Sequence, residues 1–166
     1  MPDSNKQKIF VTVGTDLPFD RLVKAVDHWA EQHPQYDVLA QIGDSLFVPS
    51  NMLFQKFVEP DEYKRIFSQS ALIVSHAGMG TILTSLQFQK PLLVVPRKAS
   101  LGEHRNEHQL ATAKHLKSLN KVEVAEDEHE LIKKLSTFSE LKIKDPIGPF
   151  ACKRLTDSIS KFIRER

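Results

Sequence analysis

The chain has 166 residues, 40% hydrophobic and 27% charged, with a formal net charge of +2. That length suits a single domain, expected over 1–166, and the near-balanced charge, without basic clusters interleaved with aromatics, calls for no nucleic-acid partner. The opening MPDSNKQK lacks the apolar core of a signal peptide, the longest apolar runs are too short to cross a bilayer, and the lone Cys152 cannot form an internal disulfide.

These features predict a cytoplasmic chain in a reducing compartment, with Cys152 a small hydrophobe on a helix. Lys8 to Val13, KIFVTV, reads as a buried strand ending at Gly14-Thr15-Asp16. Pro18 opens a helix to about His33, with Leu22, Val23, Val26, Trp29 and Ala30 at helical spacing. Tyr36 to Ile42 is a second strand, 45–52 a loop, and Phe54 to Val58 a short third strand. Pro60-Asp61-Glu62 starts an acidic-capped helix to about Ser70. Ala71 to Val74 is a strand, Met79 to Gln89 a helix, and Pro91 to Val95 a strand. After a polar loop, Glu103 to Leu119 reads as a helix. Val122 to Ala125 is a last strand and Glu128 to Phe138 a helix. Pro146 and Pro149 mark a turn.

The segment 150–164 closes the chain as an amphipathic helix. Phe150, Leu155, Ile159, Phe162 and Ile163 form its stripe; Lys153, Arg154, Lys161, Arg164 and Arg166 carry charge. The stripe packs on the chain's own sheet or docks a membrane-associated partner, with basic residues near anionic lipid. Strands alternating with helices predict a doubly wound, Rossmann-like parallel sheet. Ligands then bind at the carboxyl ends of the strands, in loops 14–17, 43–53, 58–60, 75–80 and 96–106.

In SHAGMGT, residues 75–81, Gly78 and Gly80 bare the backbone where a helix begins. Backbone N–H groups and the positive end of the helix dipole suit a phosphate, with Thr81 and His76 as further donors. The plain alternative is a tight strand-to-helix turn beside a core histidine. Neither the dinucleotide fingerprint nor a P-loop is present, since position 83 is Leu and no Gly-Lys-Ser/Thr follows. LGEHRNEHQL, residues 101–110, gathers Glu103, His104, Arg105, Asn106, His108 and Gln109, a set suited to sugar hydroxyls or to an ordinary solvated helical turn. HRNEH also matches the inverted zinc-hydrolase pattern, with His104 and His108 as ligands and Glu107 as base, but it lacks a third ligand.

VTVGT-x-x-PFDRLV (11–23), HAGMGTIL (76–83), KPLLVVPR (90–97) and GEHRNEHQLATA (102–113) occur together in this order. In that combination, over roughly residues 8–135, the chain resembles the carboxyl-terminal domain of glycosyltransferase family 28. More closely, it is similar to the small donor-binding subunits of two-chain glycosyltransferases, among them bacterial exopolysaccharide subunits and the eukaryotic subunit acting on dolichol diphosphate. The resemblance implies the carboxyl-terminal half of a GT-B fold and a nucleotide diphosphate sugar, usually a uridine one, bound without metal or other cofactor. It implies that His76, Gly78, Gly80 and Thr81 hold the diphosphate, with His76 the catalytic group. His108 and Gln109, with Asn106 nearby, would hold the sugar. Phe57-Val58 would lie against the base, and Gly14 and Thr15 would line the cleft.

Many relatives carry a ribose-binding glutamate where this chain has Thr84. A missing acceptor domain implies a membrane-associated partner subunit, or a homodimer, and a peripheral place at the inner face of the membrane. The acceptor would be lipid-linked or a polysaccharide precursor. The other classes weighed are a nucleotide-sugar binding module without turnover, and the zinc hydrolase.

Overall fold

The computed structural model describes residues 6–143, together with Lys153, Asp157, Ser160 and Lys161, which are helical and exposed. The remainder of the expected closing helix, including its apolar stripe and Cys152, lies outside the described residues, as does the Pro146–Pro149 turn.

Six parallel strands lie in the order β3-β2-β1-β4-β5-β6. They are β1 (Gln7–Thr12), β2 (Tyr36–Gln41), β3 (Leu53–Gln55), β4 (Leu72–His76), β5 (Leu92–Val95) and β6 (Glu123–Val124). Among the described residues, α1 (Asp20–Glu31), α2 (Pro60–Gln69), α3 (Met79–Phe88) and α4 (His108–Ser118) lie between strands, and α5 (Glu128–Ser136) follows β6. This is the expected doubly wound, Rossmann-like α/β sheet.

The strands read as continuous apolar runs because both sheet faces are covered. Alternation along β1 divides the core: Ile9, Val11 and Val13 meet α1 and α5, through residues such as Val26, Trp29 and Leu131. Phe10 points the other way, into a cluster with Phe67 of α2, Ile82 of α3 and Ala113 of α4. Pro60 sits at the first helical position of α2, where its missing N–H costs nothing.

Several boundaries differ from expectation by two residues or more, among them the end of β4, which runs on to His76, and the ends of α1 and α5, which stop at Glu31 and Ser136; three others have a non-local reason. Helix α1 begins at Asp20, not Pro18. The carbonyls of Leu17 and Pro18 accept hydrogen bonds from Arg97, 80 and 79 residues away, which holds that stretch as a loop. Strand β3 ends at Gln55, and the Val58 N–H turns to Gln41 Oε1 at 3.0 Å instead of a strand ladder. Helix α4 begins at His108, not Glu103. Glu103 is drawn to Arg21, at 2.6 and 2.9 Å, and Glu107 accepts the N–H groups of Ala99 and Ser100, both at 3.2 Å, closing a 3-10 turn over Ala99–Leu101.

Among the described residues no helix is long and apolar enough to cross a membrane.

Candidate functional site

The strand order reverses between β1 and β4, so the loops that leave them diverge and open a crevice. A cleft of about 500 Å³ occupies that place. Gly14 and Thr15 line it from the β1–α1 loop; His76, Gly78, Gly80 and Thr81 line it from the β4–α3 loop; Val58 and Gln109 also line it. Register explains the convergence, because Thr12 pairs with Ser75 and leaves Gly14 and His76 side by side at the sheet edge.

The His76 ring is wedged between two glycines. A Cβ on Gly14 would lie 2.6 Å from its Cε1, and one on Gly78 would lie 2.7 Å from the same atom. Gly14 also has φ +79°, whereas Gly78 has φ −87°. Gly78 is therefore required by the imidazole and not by backbone strain. Burial, and then the nearby Arg97 charge, lower the His76 pKa to about 4. The ring is neutral near pH 7 and its buried Nδ1 has no hydrogen-bond partner among the described residues.

Gly80 differs from both. A Cβ there would meet no protein atom within 4 Å, although the residue stands in the first turn of α3 and on the cleft wall. The first-turn N–H groups of α3 have no carbonyl within the helix to bond, and the helix dipole favours an anion in front of them. Thr81 is buried beside them and next to Tyr63, whose pKa is raised by burial more than the Thr81 side chain lowers it. The Thr84 hydroxyl donates to the Gly80 carbonyl at 2.8 Å, so on the cleft wall it offers an acceptor oxygen only.

Phe57, Asn106 and His108 are not among the lining residues of the cleft. Phe57 lies beyond the end of β3, with an exposed side chain. Asn106 Oδ1 accepts the His108 N–H at 3.0 Å, so it caps the start of α4. Gln109 Oε1 accepts two backbone N–H groups, from Ala77 and Arg97, each at 3.2 Å. It ties the glycine loop to the loop after β5, which leaves its amide nitrogen for any ligand. Glu107, the base of the zinc reading, is spent on Ala99 and Ser100, and among the described residues no three metal-ligating side chains cluster.

Sequence reasoning missed three residues that shape the cleft. Gln41 is buried and braces Gly14, donating to its carbonyl at 3.1 Å. Tyr63 backs Thr81. Arg97 is part of the cleft floor and 2% exposed. A buried-facing Gln at the end of a strand and an Arg straight after one were the available signals; neither names its partners.

A family model described as "Glycosyltransferase family 28 C-terminal domain" matches residues 8–145. The "UDP-N-acetylglucosamine transferase subunit ALG13" of Mus musculus is 33% identical over 111 residues, 61% of this chain and 9% of its own length. The Homo sapiens protein of that name is 33% identical over 118 residues, 65% of this chain and 10% of its own length. This chain thus spans about a tenth of these relatives. Among solved structures, an NMR solution structure of ALG13 superposes with a TM-score of 0.60 at 22% identity, covering 93% of this chain and 94% of that one. The crystal structure of the glycotransferase of kitacinnamycin gives 0.64 at 19% identity, covering 99% of this chain and 40% of that one. At such identities these structures share the fold.

Proposed function

The chain belongs to the glycosyltransferase family 28 C-terminal domain family, and from that membership we propose that its cleft binds the diphosphate of a uridine diphosphate sugar and serves sugar transfer to a lipid-linked or polysaccharide-precursor acceptor. The observation that carries this reading is Gly80: a helix N-terminus opens on a cleft at the switch point, and a glycine with no steric cause in the protein leaves room in front of it. The names of the mouse and human relatives make UDP-N-acetylglucosamine the first donor to try, and they describe a subunit.

In this reading negative charge grows on the leaving phosphate as the glycosidic bond breaks. The α3 N–H groups, the Thr81 hydroxyl and one N–H of the neutral His76 ring are donors for that charge. They take the place of a metal ion. Inversion at the anomeric carbon follows by family analogy alone. The sugar extends toward the Gln109 amide nitrogen, and the acceptor and its base come from a membrane-associated partner subunit, which would also hold the chain at the inner face of a membrane.

Calorimetry with UDP and UDP-N-acetylglucosamine, each with and without a chelator, tests the donor site. The expected result is binding that the chelator leaves unchanged, and a roughly tenfold or greater loss in Thr81→Val, since a hydrogen bond to a charged group is removed. Absence of binding by either ligand would overturn the reading. A binding module without turnover would bind the donor equally well and fail to transfer with any partner.

A further inference from the structure

We propose that Arg97 is the positioning residue of the cleft: from the cleft floor it sets the spacing of the loops that face the anion and supplies their fixed positive charge, acting through those loops and His76. The proposal rests on the donor site described above.

The guanidinium donates to the carbonyls of Pro18 at 2.6 Å, Val13 at 2.8 Å, Glu103 at 3.3 Å and Leu17. It also lies over the Phe19 ring, 4.7 Å from the centroid. The Arg97 backbone N–H goes to Gln109 Oε1, which also takes the Ala77 N–H. The Arg97 side chain therefore joins the β1–α1 loop to the loop after β5, and Gln109, through the Arg97 and Ala77 backbone N–H groups, ties both to the β4–α3 loop. A planar fork that meets several carbonyls at once is a task for Arg and not for Lys.

The charge is the second half of the argument. Arg97 is 2% exposed, and among the described residues its hydrogen bonds go to neutral carbonyls, not to a carboxylate. The half-buried Glu103 carboxylate is held bidentate by Arg21 and also accepts the Lys98 N–H. Arg21 also reaches Glu128 at 3.5 Å, while Glu103 and the exposed Asp16 favour the Arg97 charge without bonding its guanidinium through a carboxylate. A buried cation without a paired anion is costly. Beside a cleft that opens on a helix N-terminus, an incoming diphosphate offsets that cost. The groups that face the His76 ring agree: Arg97 and His104 oppose its protonation, while the Thr12 backbone and the exposed Asp16 favour it.

The test compares Arg97→Met and Arg97→Lys with the unaltered protein, by NMR titration of the His76 ring and by calorimetry with UDP, uridine and inorganic pyrophosphate. The expected wild-type midpoint is about 4. Arg97→Met should raise it by about one unit, because a like charge is removed. It should weaken UDP and pyrophosphate roughly tenfold and uridine much less. Arg97→Lys should keep the low midpoint and recover part of the diphosphate affinity. A folded Arg97→Met protein with an unmoved midpoint, or with equal losses for UDP and uridine, overturns the proposal. If Arg97→Met does not fold, Arg97→Lys decides: wild-type affinity for UDP overturns the spacing role, and a several-fold loss with the midpoint kept low supports it. If the unaltered protein binds no UDP, the donor reading is lost while the midpoint shift still judges Arg97.

Discussion

The His76 imidazole fills the space that a side chain on Gly78 would need: a Cβ there would stand 2.7 Å from Cε1 and 3.0 Å from Cδ2. The ring is largely buried and cannot swing away without leaving the cleft wall. Gly78→Ala should therefore destabilise the fold by about 1–3 kcal/mol, the usual cost of forcing atoms into a packed site. Urea unfolding measures it. In a His76→Ala background most of that cost should vanish, because the two groups share one space. An undiminished cost in the double variant would place the strain elsewhere.

Gly80→Ala should behave in the opposite way. Nothing in the protein opposes a Cβ there, and Ala is favoured over Gly in a helix by about 1 kcal/mol. The variant should be as stable as the parent or more so. Yet the added methyl projects into the space proposed for the diphosphate, so UDP affinity should fall by roughly tenfold, about 1.4 kcal/mol. A gain in stability with unchanged UDP affinity would show that the phosphate does not approach Gly80.

Stability should depend on pH through His76. Its pKa is lowered by burial from the ordinary histidine value of 6.5 to about 4 in the folded protein. The unfolded chain therefore binds more protons between those values, and stability rises with pH across that window. The stabilising difference is fully present above about pH 6.5 and is lost as pH falls toward 4. At most about 3 kcal/mol is involved, from the size of that shift. Unfolding midpoints at pH 7 and pH 5 should differ in the parent and converge in His76→Gln. Equal pH dependence in both proteins would assign the effect to other groups.

The sheet was legible in the sequence because its information is local. Runs such as Lys8–Val13 and Pro91–Val95 are largely apolar on both faces, and they end at Gly14 and Pro96. Their alternation with helices leads to a parallel sheet with ligand loops at one edge. Within the site, Gly14, His76, Gly78, Gly80 and Thr81 were legible as neighbours of strand ends. The reason for Gly78 was not, since it depends on a ring two residues earlier folding back beside it. The start of α4 was misread because Glu103 and Glu107 look like first-turn acids. Their partners, Arg21 and the backbone at Ala99 and Ser100, decide otherwise. Arg97 shows the limit most clearly. Its fork reaches carbonyls about 80 residues back, and no pattern around Pro96-Arg97 points to Leu17 or Pro18.

Turnover should require a second protein surface. The residues that line the cleft come from the carboxyl edge of one sheet and the loops beside it, so they form one wall. Transfer needs the acceptor hydroxyl held in line with the donor, and that positioning supplies a large part of the rate. It also needs water kept from the sugar, or hydrolysis competes. His76 is a poor base for the acceptor at neutral pH, because a pKa of about 4 leaves it little affinity for the proton. Asp16 lines the cleft with an exposed carboxylate and is the residue to control for. The measurement is transfer from UDP-N-acetylglucosamine to a lipid-linked acceptor, by the purified chain alone and then with a membrane-anchored glycosyltransferase half added. The expected result is donor binding without transfer by the chain alone, transfer on addition of the partner, and little effect of Asp16→Asn on the complex. Robust turnover by the isolated monomer, abolished by Asp16→Asn, would show instead that one wall and its own carboxylate suffice.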